Sequence, residues 1–167
     1  MEKEEILKLL HLINDELQKR NIKGEICLYG GAVMCLAFDA RPNTKDVDAV
    51  FKPTKEMREA VALIARDNGL REDWLNDGVK GFLVAHTQQI FLDLPFLKVF
   101  IPEPDYLLAM KTFSARVDAT DKQDVQFLIK KLHLSTKEEV FSILEKYYPL
   151  QQVRPATKFF IEEIFQQ

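Results

Sequence analysis

The 167-residue chain has few cysteines and few histidines. Its two cysteines, Cys27 and Cys35, form neither a CxxC pair nor a spacing typical of metal ligands, which argues against a zinc or redox motif. We interpret both as reduced, buried, apolar side chains. The three histidines, His11, His86 and His133, are scattered along the sequence and therefore give a zinc site little support.

The chain also lacks long apolar runs and a strong charge of one sign. No apolar run approaches the length of about 20 residues that a membrane-spanning helix needs. The charged residues 1–5 do not resemble a signal peptide, so we expect a cytoplasmic protein that does not bind a membrane. The net charge of −3 argues against a surface coated with basic residues for non-specific nucleic-acid binding, although it does not exclude a basic patch.

What is present is typical of a soluble globular protein: 47% of the residues are apolar and 29% are charged. The predicted order of elements is a helix, strands interleaved with helices, and a helical tail. This order predicts an α+β or α/β fold, with a mixed sheet flanked by helices and a C-terminal helical segment. We expect residues 1–103 to form the α/β core and residues 104–167 to form a helical extension packed on it, as one compact unit.

Hydrophobic periodicity predicts the individual elements. Helices are expected over residues 3–20, 32–38, 55–68, 104–114, 121–132 and 156–165. A capping-box pattern at residues 135–138 predicts a further helix that ends near Tyr147. Short strands are expected over residues 25–29, 47–51, 82–85, 90–92 and 97–101. Gly24 is a candidate C-cap of the first helix.

The most informative pattern is a glycine pair followed by two acidic residues. Gly30 and Gly31 come at the end of one predicted strand, and Asp46 and Asp48 stand two residues apart at the next. Side chains at positions i and i+2 of a strand point to the same face, so the two carboxylates are expected side by side. They repel each other unless a cation lies between them, and Mg²⁺ prefers such oxygen ligands. Because glycines let a backbone approach a phosphate, the pattern indicates chemistry on a nucleotide.

These residues also have plainer interpretations. A glycine pair can be only a turn between a strand and a helix, and an Asp-x-Asp pair often lies on a solvated strand face. Thr44, in the polar loop that also carries Arg41, can simply cap that loop. Trp74, in the polar segment 71–81, can close the core from the side, which is the interpretation that we favour.

The ordered set of motifs resembles the nucleotidyltransferase superfamily, which has the DNA polymerase β-like fold. The pattern stands here as Tyr29-Gly30-Gly31, fourteen spacer residues, and then Asp46-Val47-Asp48. Within the superfamily, the chain is similar to small bacterial nucleotidyltransferase-like proteins related to AbiEii-type and MenT-type toxins. The likeness continues through residues 74–82, 107–111, 115–116 and 121–128.

The resemblance implies a toxin-like, Mg²⁺-dependent enzyme that moves a nucleoside monophosphate from an NTP to an RNA such as tRNA, to a protein or to a small molecule. It implies that Gly30 and Gly31 contact the triphosphate through backbone N–H groups and the helix that follows. Asp46 and Asp48 would hold Mg²⁺ as the catalytic carboxylates. Thr44 would orient the loop or contact a phosphate.

The resemblance also implies roles for three residues of the C-terminal segment. Lys111 would lie near the nucleotide phosphates as a catalytic and nucleotide-binding residue, although a lone lysine on an apolar helix is more often at the surface. Asp121 and Asp124 are one helical turn apart and share a face, which makes them candidate nucleotide-binding residues. Asp121 can instead stabilise the N-terminus of its helix.

One departure from the family pattern concerns a third carboxylate, which many active members place on a later strand. Asp93 is the nearest candidate, but residues 92–95 resemble a turn. The site would then hold one metal ion or be completed by Asp121 or Asp124. The alternative is a degenerate site in a non-catalytic module that binds a nucleotide, or that pairs with a cognate antitoxin or another partner protein.

Overall fold

The computed structural model of the protein describes residues 1–114, 119–149 and 153–166. The chain divides into two compact units. The first unit comprises Met1–Leu83 and Gln88–Pro102, and the second comprises Val84–Thr87 and Glu103–Gln167. The predicted division into residues 1–103 and 104–167 stays a prediction.

The first unit contains a five-stranded sheet. Its elements in chain order are α1 (Lys3–Lys19), β1 (Gly24–Tyr29), α2 (Gly30–Leu36), β2 (Val47–Lys52), α3 (Thr54–Asn68), β3 (Leu75–Asn76), a 3-10 helix (Gly78–Phe82), β4 (Gln88–Asp93) and β5 (Leu97–Pro102). The strand order is β3-β2-β1-β5-β4. The pairs β1–β2 and β4–β5 are antiparallel, whereas β1–β5 and β2–β3 are parallel. The sheet is therefore mixed, and the predicted α+β fold is confirmed.

Helices α1 and α3 cover one face of this sheet. The side chains that α1 buries repeat at helical spacing: Ile6, Leu9, Leu10, Ile13 and Leu17. The strands bury alternate residues against the helices, and these are Ile26, Leu28, Val47, Ala49, Leu97 and Val99. Because side chains alternate along a strand, Asp48 points to the opposite face of the sheet.

The bounds of α1 agree with the prediction, but its C-cap does not, because Gly24 is the first residue of β1. The helix ends earlier, where Asn21 takes a φ of 51° and the N–H of Ile22 donates to the carbonyl of Leu17 at 3.0 Å. This is the hydrogen bond of a Schellman motif, with asparagine in the left-handed position. Gly24 packs closely against α3, since a Cβ there would lie 2.9 Å from Sδ of Met57, which would have to shift.

Two predictions about the sheet are also corrected. Residues 82–85 are not a strand, because Phe82 ends the 3-10 helix and residues 83–87 have no regular structure. The two-residue strand β3 is absent from the predicted elements, since the polar segment 71–81 has no alternating apolar pattern that indicates a strand.

The second unit is helical. Its helices are α4 (Pro104–Ser114), α5 (Ala119–Lys131), α6 (Lys137–Tyr147) and α7 (Pro155–Gln166), in agreement with the helices predicted for this region. The capping box of α6 lies one residue later than predicted, because Thr136 accepts from the N–H of Glu139 and its own N–H donates to the Glu139 carboxylate, both at 3.3 Å. The motif residues 115–116 lie outside the described residues.

The sequence also predicts the state of the two cysteines and the length of the helices. Cys27 in β1 and Cys35 in α2 are buried, free thiols, as predicted. Burial raises the pKa of Cys27 to about 11, so its sulfur stays protonated at neutral pH. Among the described residues, no helix is long and apolar enough to cross a membrane.

Candidate functional site

Strands β1 and β2 bring the glycine pair and Asp48 together. Their antiparallel register places Tyr29, the last residue of β1, opposite Asp48. Gly30 follows with a φ of +58°, in the left-handed region that favours glycine. A Cβ on Gly30 would lie only 2.8 Å from Oδ2 of Asp48. The Asp48 carboxylate therefore lies directly over the backbone of Gly30, and no larger residue fits there without a shift.

The second glycine is covered by a cation and a hydroxyl group. A Cβ on Gly31 would overlap the guanidinium of Arg41 and would lie 2.6 Å from Oγ1 of Thr44. The loop between α2 and β2 thus folds back over the first turn of α2. A phosphate that approached Gly31 from this side would meet the Arg41 guanidinium as well as the backbone.

The position of this loop is fixed by Thr44, which is 7% exposed. Its Oγ1 donates to the carbonyl of Asp46 at 3.1 Å, and its N–H donates to the carbonyl of Met1 at 3.0 Å. The first of these hydrogen bonds is the loop-capping role considered from the sequence. The same hydrogen bond fixes the chain directly before β2, at Asp46.

Asp46 is exposed and directly precedes β2, whereas Asp48 lies within β2 and is half-buried. Asp48 points to the sheet face opposite α1 and α3, because side chains alternate along a strand. Asp46 lies in a bend before β2, where this alternation does not apply, so the expected side-by-side placement of the two carboxylates stays a prediction. Among the residues that the structure describes, no three His, Cys, Asp or Glu side chains are grouped to hold a metal ion. Mg²⁺ commonly takes only one or two carboxylates from a protein and completes its shell with water and substrate phosphates. The two-carboxylate donor set therefore fits Mg²⁺ that binds together with a nucleotide.

Strand β3 adds an amide next to the carboxylates. Asn76 is the register partner of Asp48, and its Oδ1 accepts from the N–H of Gly78 at 3.1 Å. The next residue, Asp77, accepts instead from Arg58 of α3 at 2.8 Å, and this hydrogen bond holds the pKa of Asp77 below its usual value. Of these two motif residues, only Asn76 is paired with the strand that carries the site.

Trp74 has a structural role. Its side chain is 3% exposed, and its indole N–H donates to the carbonyl of Val61 in α3 at 3.2 Å. A buried indole with its single donor satisfied is the usual state of a core tryptophan. The geometry agrees with the core-closing interpretation of this residue.

Asp93, the candidate third carboxylate, lies at the other end of the sheet. It is the last residue of β4, opposite Lys98, which in turn is opposite Glu25 on β1. Asp48 is opposite Tyr29, four residues further along β1. At about 3.3 Å per residue, the two carboxylates are about 13 Å apart along the strands alone. Asp93 therefore does not join the carboxylate pair.

In the second unit, Lys111, Asp121 and Asp124 meet between α4 and α5. The Nζ of Lys111 lies 2.6 Å from Oδ2 of Asp124 and 3.6 Å from Oδ1 of Asp121. Lys111 is 7% exposed and Asp124 is 3% exposed. Both carboxylates face the lysine, so the prediction that they share one helix face is confirmed. Lys111 is not the surface lysine that its sequence context favours.

Two residues of the first unit, Arg41 and Asn76, are absent from the candidate site residues that the sequence suggests. Arg41 is the sole cation of the polar loop 39–44, which marks it as a candidate, but its contact with Gly31 depends on how that loop closes. Nothing in the sequence pairs Asn76 with Asp48, because this requires the register of β2 and β3.

Comparison of this chain with protein-family models, with curated proteins and with solved structures finds no match.

Proposed function

We propose that this chain is a Mg²⁺-dependent nucleotidyltransferase, which moves a nucleoside monophosphate from an NTP to an RNA, protein or small-molecule acceptor and releases pyrophosphate. The observation that carries the proposal is that polar side chains lie directly over two adjacent glycines. Asp48 lies over Gly30, and Arg41 and Thr44 lie over Gly31. A carboxylate suited to a metal ion and a cation suited to a phosphate thus occupy neighbouring positions.

In the proposed reaction, the acceptor hydroxyl oxygen forms a bond to the α-phosphorus of the NTP. The bond between that phosphorus and the oxygen that bridges to the β-phosphate breaks, and pyrophosphate leaves with its electron pair. The hydroxyl proton passes to solvent. Mg²⁺ held by Asp46 and Asp48 would neutralise phosphate charge and lower the pKa of the acceptor hydroxyl.

Arg41 would orient the triphosphate. Its planar guanidinium can donate two parallel hydrogen bonds to phosphate oxygens, which fixes direction as well as position. The loop that carries it is anchored through Thr44, so the guanidinium is presented by a backbone that is already ordered. Such preorganisation reduces the entropic cost of placing the α-phosphorus next to the acceptor.

On the basis of the motif resemblance, the proposal assigns nucleotide binding also to Lys111, Asp121 and Asp124. The ammonium of Lys111 has three donors, and Asp124 lies 2.6 Å from it. Lys111 can therefore keep the Asp124 contact while another donor reaches a phosphate oxygen. In this role the two carboxylates hold the ammonium group in place.

Label transfer tests the proposal. The protein is incubated with Mg²⁺, with each NTP labelled at its α-phosphate, and with total RNA or cell lysate. We expect label on an acceptor for at least one NTP, and a loss of about 10³-fold in the variant Asp46→Asn/Asp48→Asn, because a bound metal ion supplies several kcal/mol of transition-state stabilisation. The control Glu72→Gln, which removes an exposed carboxylate of the same unit, should transfer label like the wild type. Equal transfer by the double variant would contradict the proposal.

The second candidate is a non-catalytic module that binds a nucleotide or pairs with a partner protein such as a cognate antitoxin. The observation that favours it is the position of Asp93 at the far end of the sheet, since β4 and β5 carry no other acidic residue. Calorimetric titration with Mg²⁺–NTP separates the candidates. Binding without label transfer favours the module, and no binding at all argues against both nucleotide-based functions.

A further inference from the structure

The second unit contains an open cleft of about 430 Å³, a volume within the range of small-molecule sites. Helices α6 and α7 form most of its walls, and α4 contributes Phe113. The apolar part of its lining includes Phe141, Leu144 and Tyr148. The cleft therefore offers apolar surface that a small ligand can cover.

Two aromatic rings shape this apolar lining. The rings of Phe113 and Tyr148 have centroids 4.7 Å apart and are tilted by 55°. The hydroxyl of Tyr148 lies 3.5 Å from that of Tyr106, and burial raises the pKa of Tyr148, so the phenol stays neutral. A third aromatic ring would pack against such rings in an offset-stacked or edge-to-face arrangement.

The rim of the cleft carries charges of both signs. Lys137 of α6 and Glu162 of α7 pair with each other, with Nζ and Oε1 3.6 Å apart. Lys158 and Glu145 also line the cleft and are exposed, and neither forms an ion pair with any residue in the described ranges. One ammonium and one carboxylate are thus left at the rim for a ligand.

We propose that this cleft binds a small molecule that carries an aromatic ring, a carboxylate and an ammonium group, which is the chemistry of a free aromatic amino acid. The ring packs against Phe113 and Tyr148, the carboxylate pairs with Lys158, and the ammonium pairs with Glu145. Because the charges of the lining sum to zero, a ligand with both charges is favoured over a simple anion or cation. This proposal does not rest on the proposed nucleotidyltransferase activity.

Calorimetric titration of the full chain with L-phenylalanine tests the proposal. We expect a dissociation constant of about 1 mM, the affinity usual for a ligand of this size. Three comparison ligands each lack one group: 3-phenylpropionate lacks the ammonium, 2-phenylethylamine lacks the carboxylate, and alanine lacks the ring. The first two should bind about two- to fivefold more weakly, as expected for the loss of one exposed ion pair, and alanine should not bind.

Two substitutions at the rim give a crossed test. Lys158→Gln should weaken L-phenylalanine and 3-phenylpropionate about two- to fivefold and leave 2-phenylethylamine unchanged. Glu145→Gln should weaken L-phenylalanine and 2-phenylethylamine and leave 3-phenylpropionate unchanged. The control variants Lys130→Gln and Glu138→Gln change exposed charges outside the cleft and should bind like the wild type.

The circular dichroism spectrum of each variant checks that its helices are retained, which is expected because all four residues are exposed. The proposal is overturned by any of three results: no binding of L-phenylalanine at about 10 mM, equal binding of alanine, or rim variants with unchanged affinities.

Discussion

Two groups of acidic and basic side chains in this chain are built in opposite ways. In the first unit, Asp46 is exposed and Asp48 is half-buried, while the cation of Arg41 lies over Gly31. In the second unit, the opposite charges of Lys111 and Asp124 lie 2.6 Å apart, with less than a tenth of either residue exposed. The first group keeps access to solvent, and the second is closed.

Burial explains what each group can do. A charge taken out of water has to be paired within the fold, because an unpaired buried charge is strongly destabilising. Lys111 and Asp124 meet this requirement and thereby connect α4 with α5. Asp46 and Asp48 are two like charges separated by one residue in the sequence, and a cation bound between them would offset any repulsion. We therefore expect stability to depend more strongly on the second group than on the first.

The largest effect is expected for Lys111→Met, which removes the ammonium group that lies 2.6 Å from the buried Asp124 carboxylate. The free energy of unfolding should fall by about 3–5 kcal/mol, as measured by urea denaturation. The double variant Lys111→Met/Asp124→Leu should recover most of this loss, because apolar replacement of both members of a buried pair is often neutral or stabilising. Amide hydrogen exchange should show the loss of protection in α4 and α5. A single variant as stable as the wild type would remove the contrast between the two groups.

A smaller effect, mainly on ligand binding, is expected for Gly31→Ala. The new Cβ would overlap the Arg41 guanidinium, which is the end of a flexible side chain and can move away. The free energy of unfolding should fall by only about 1 kcal/mol, whereas Mg²⁺–NTP affinity should fall about tenfold through the loss of one charged hydrogen bond. Gly81→Ala is the matched control, because a Cβ there meets no atom within 4 Å. Calorimetry on both variants decides the matter, and unchanged nucleotide affinity in Gly31→Ala would argue against phosphate binding by Arg41.

An ionic group of intermediate exposure, centred on Asp105 in α4, should make the free energy of unfolding depend weakly on pH. Burial by itself would raise the pKa of Asp105, but hydrogen bonds from Tyr147 at 2.8 Å and Lys146 at 3.1 Å outweigh it and hold the pKa below its usual value. A lowered pKa in the folded state contributes stability above the unfolded pKa of about 3.9, and this is lost as the pH falls.

Between about pH 5 and pH 3, the wild type should therefore lose more stability than Asp105→Asn. The difference should stay below about 1 kcal/mol, because solvent screens this carboxylate. Urea denaturation of both proteins at the two pH values measures it. Parallel losses in the two proteins would mean that Asp105 contributes nothing to the acid sensitivity.

The parts of the site that the sequence predicts are those that depend on chain neighbours. The pair Gly30-Gly31 marks the end of β1, and Asp48 lies within the predicted second strand, whereas Asp46 lies in a bend before it. The contact of Arg41 with Gly31 depends on how a loop closes, which no local pattern records. The sequence therefore predicts the backbone frame of the site better than the cation that covers it.

Residues whose role depends on packing between elements are harder to predict. The helical pattern around Lys111 is compatible with a surface lysine, and only the docking of α5 supplies Asp124. Gly24 satisfies the local rule for a C-cap, but Asn21 takes the left-handed position three residues earlier. For Lys111, the local pattern competes with a tertiary contact to Asp124. For Gly24, it competes with Asn21 as the residue that ends the helix, and the sequence alone decides neither case.

The smallest effect is expected for Asp93→Asn. This variant tests whether the position of an aspartate in the sheet matters, because the residue type is the same as at the proposed site. Asp93 and Asp48 are the same residue type on the same sheet, but their register places them at opposite ends. Label transfer and Mg²⁺–NTP affinity should both stay unchanged in Asp93→Asn, and stability should change by no more than about 0.5 kcal/mol, because Asp93 is exposed. Asp48→Asn, measured alongside, should lose transfer. If Asp93→Asn lost transfer as well, the reaction would need a carboxylate from the far end of the sheet, and the open pair beside Gly30 would not be sufficient as the metal site.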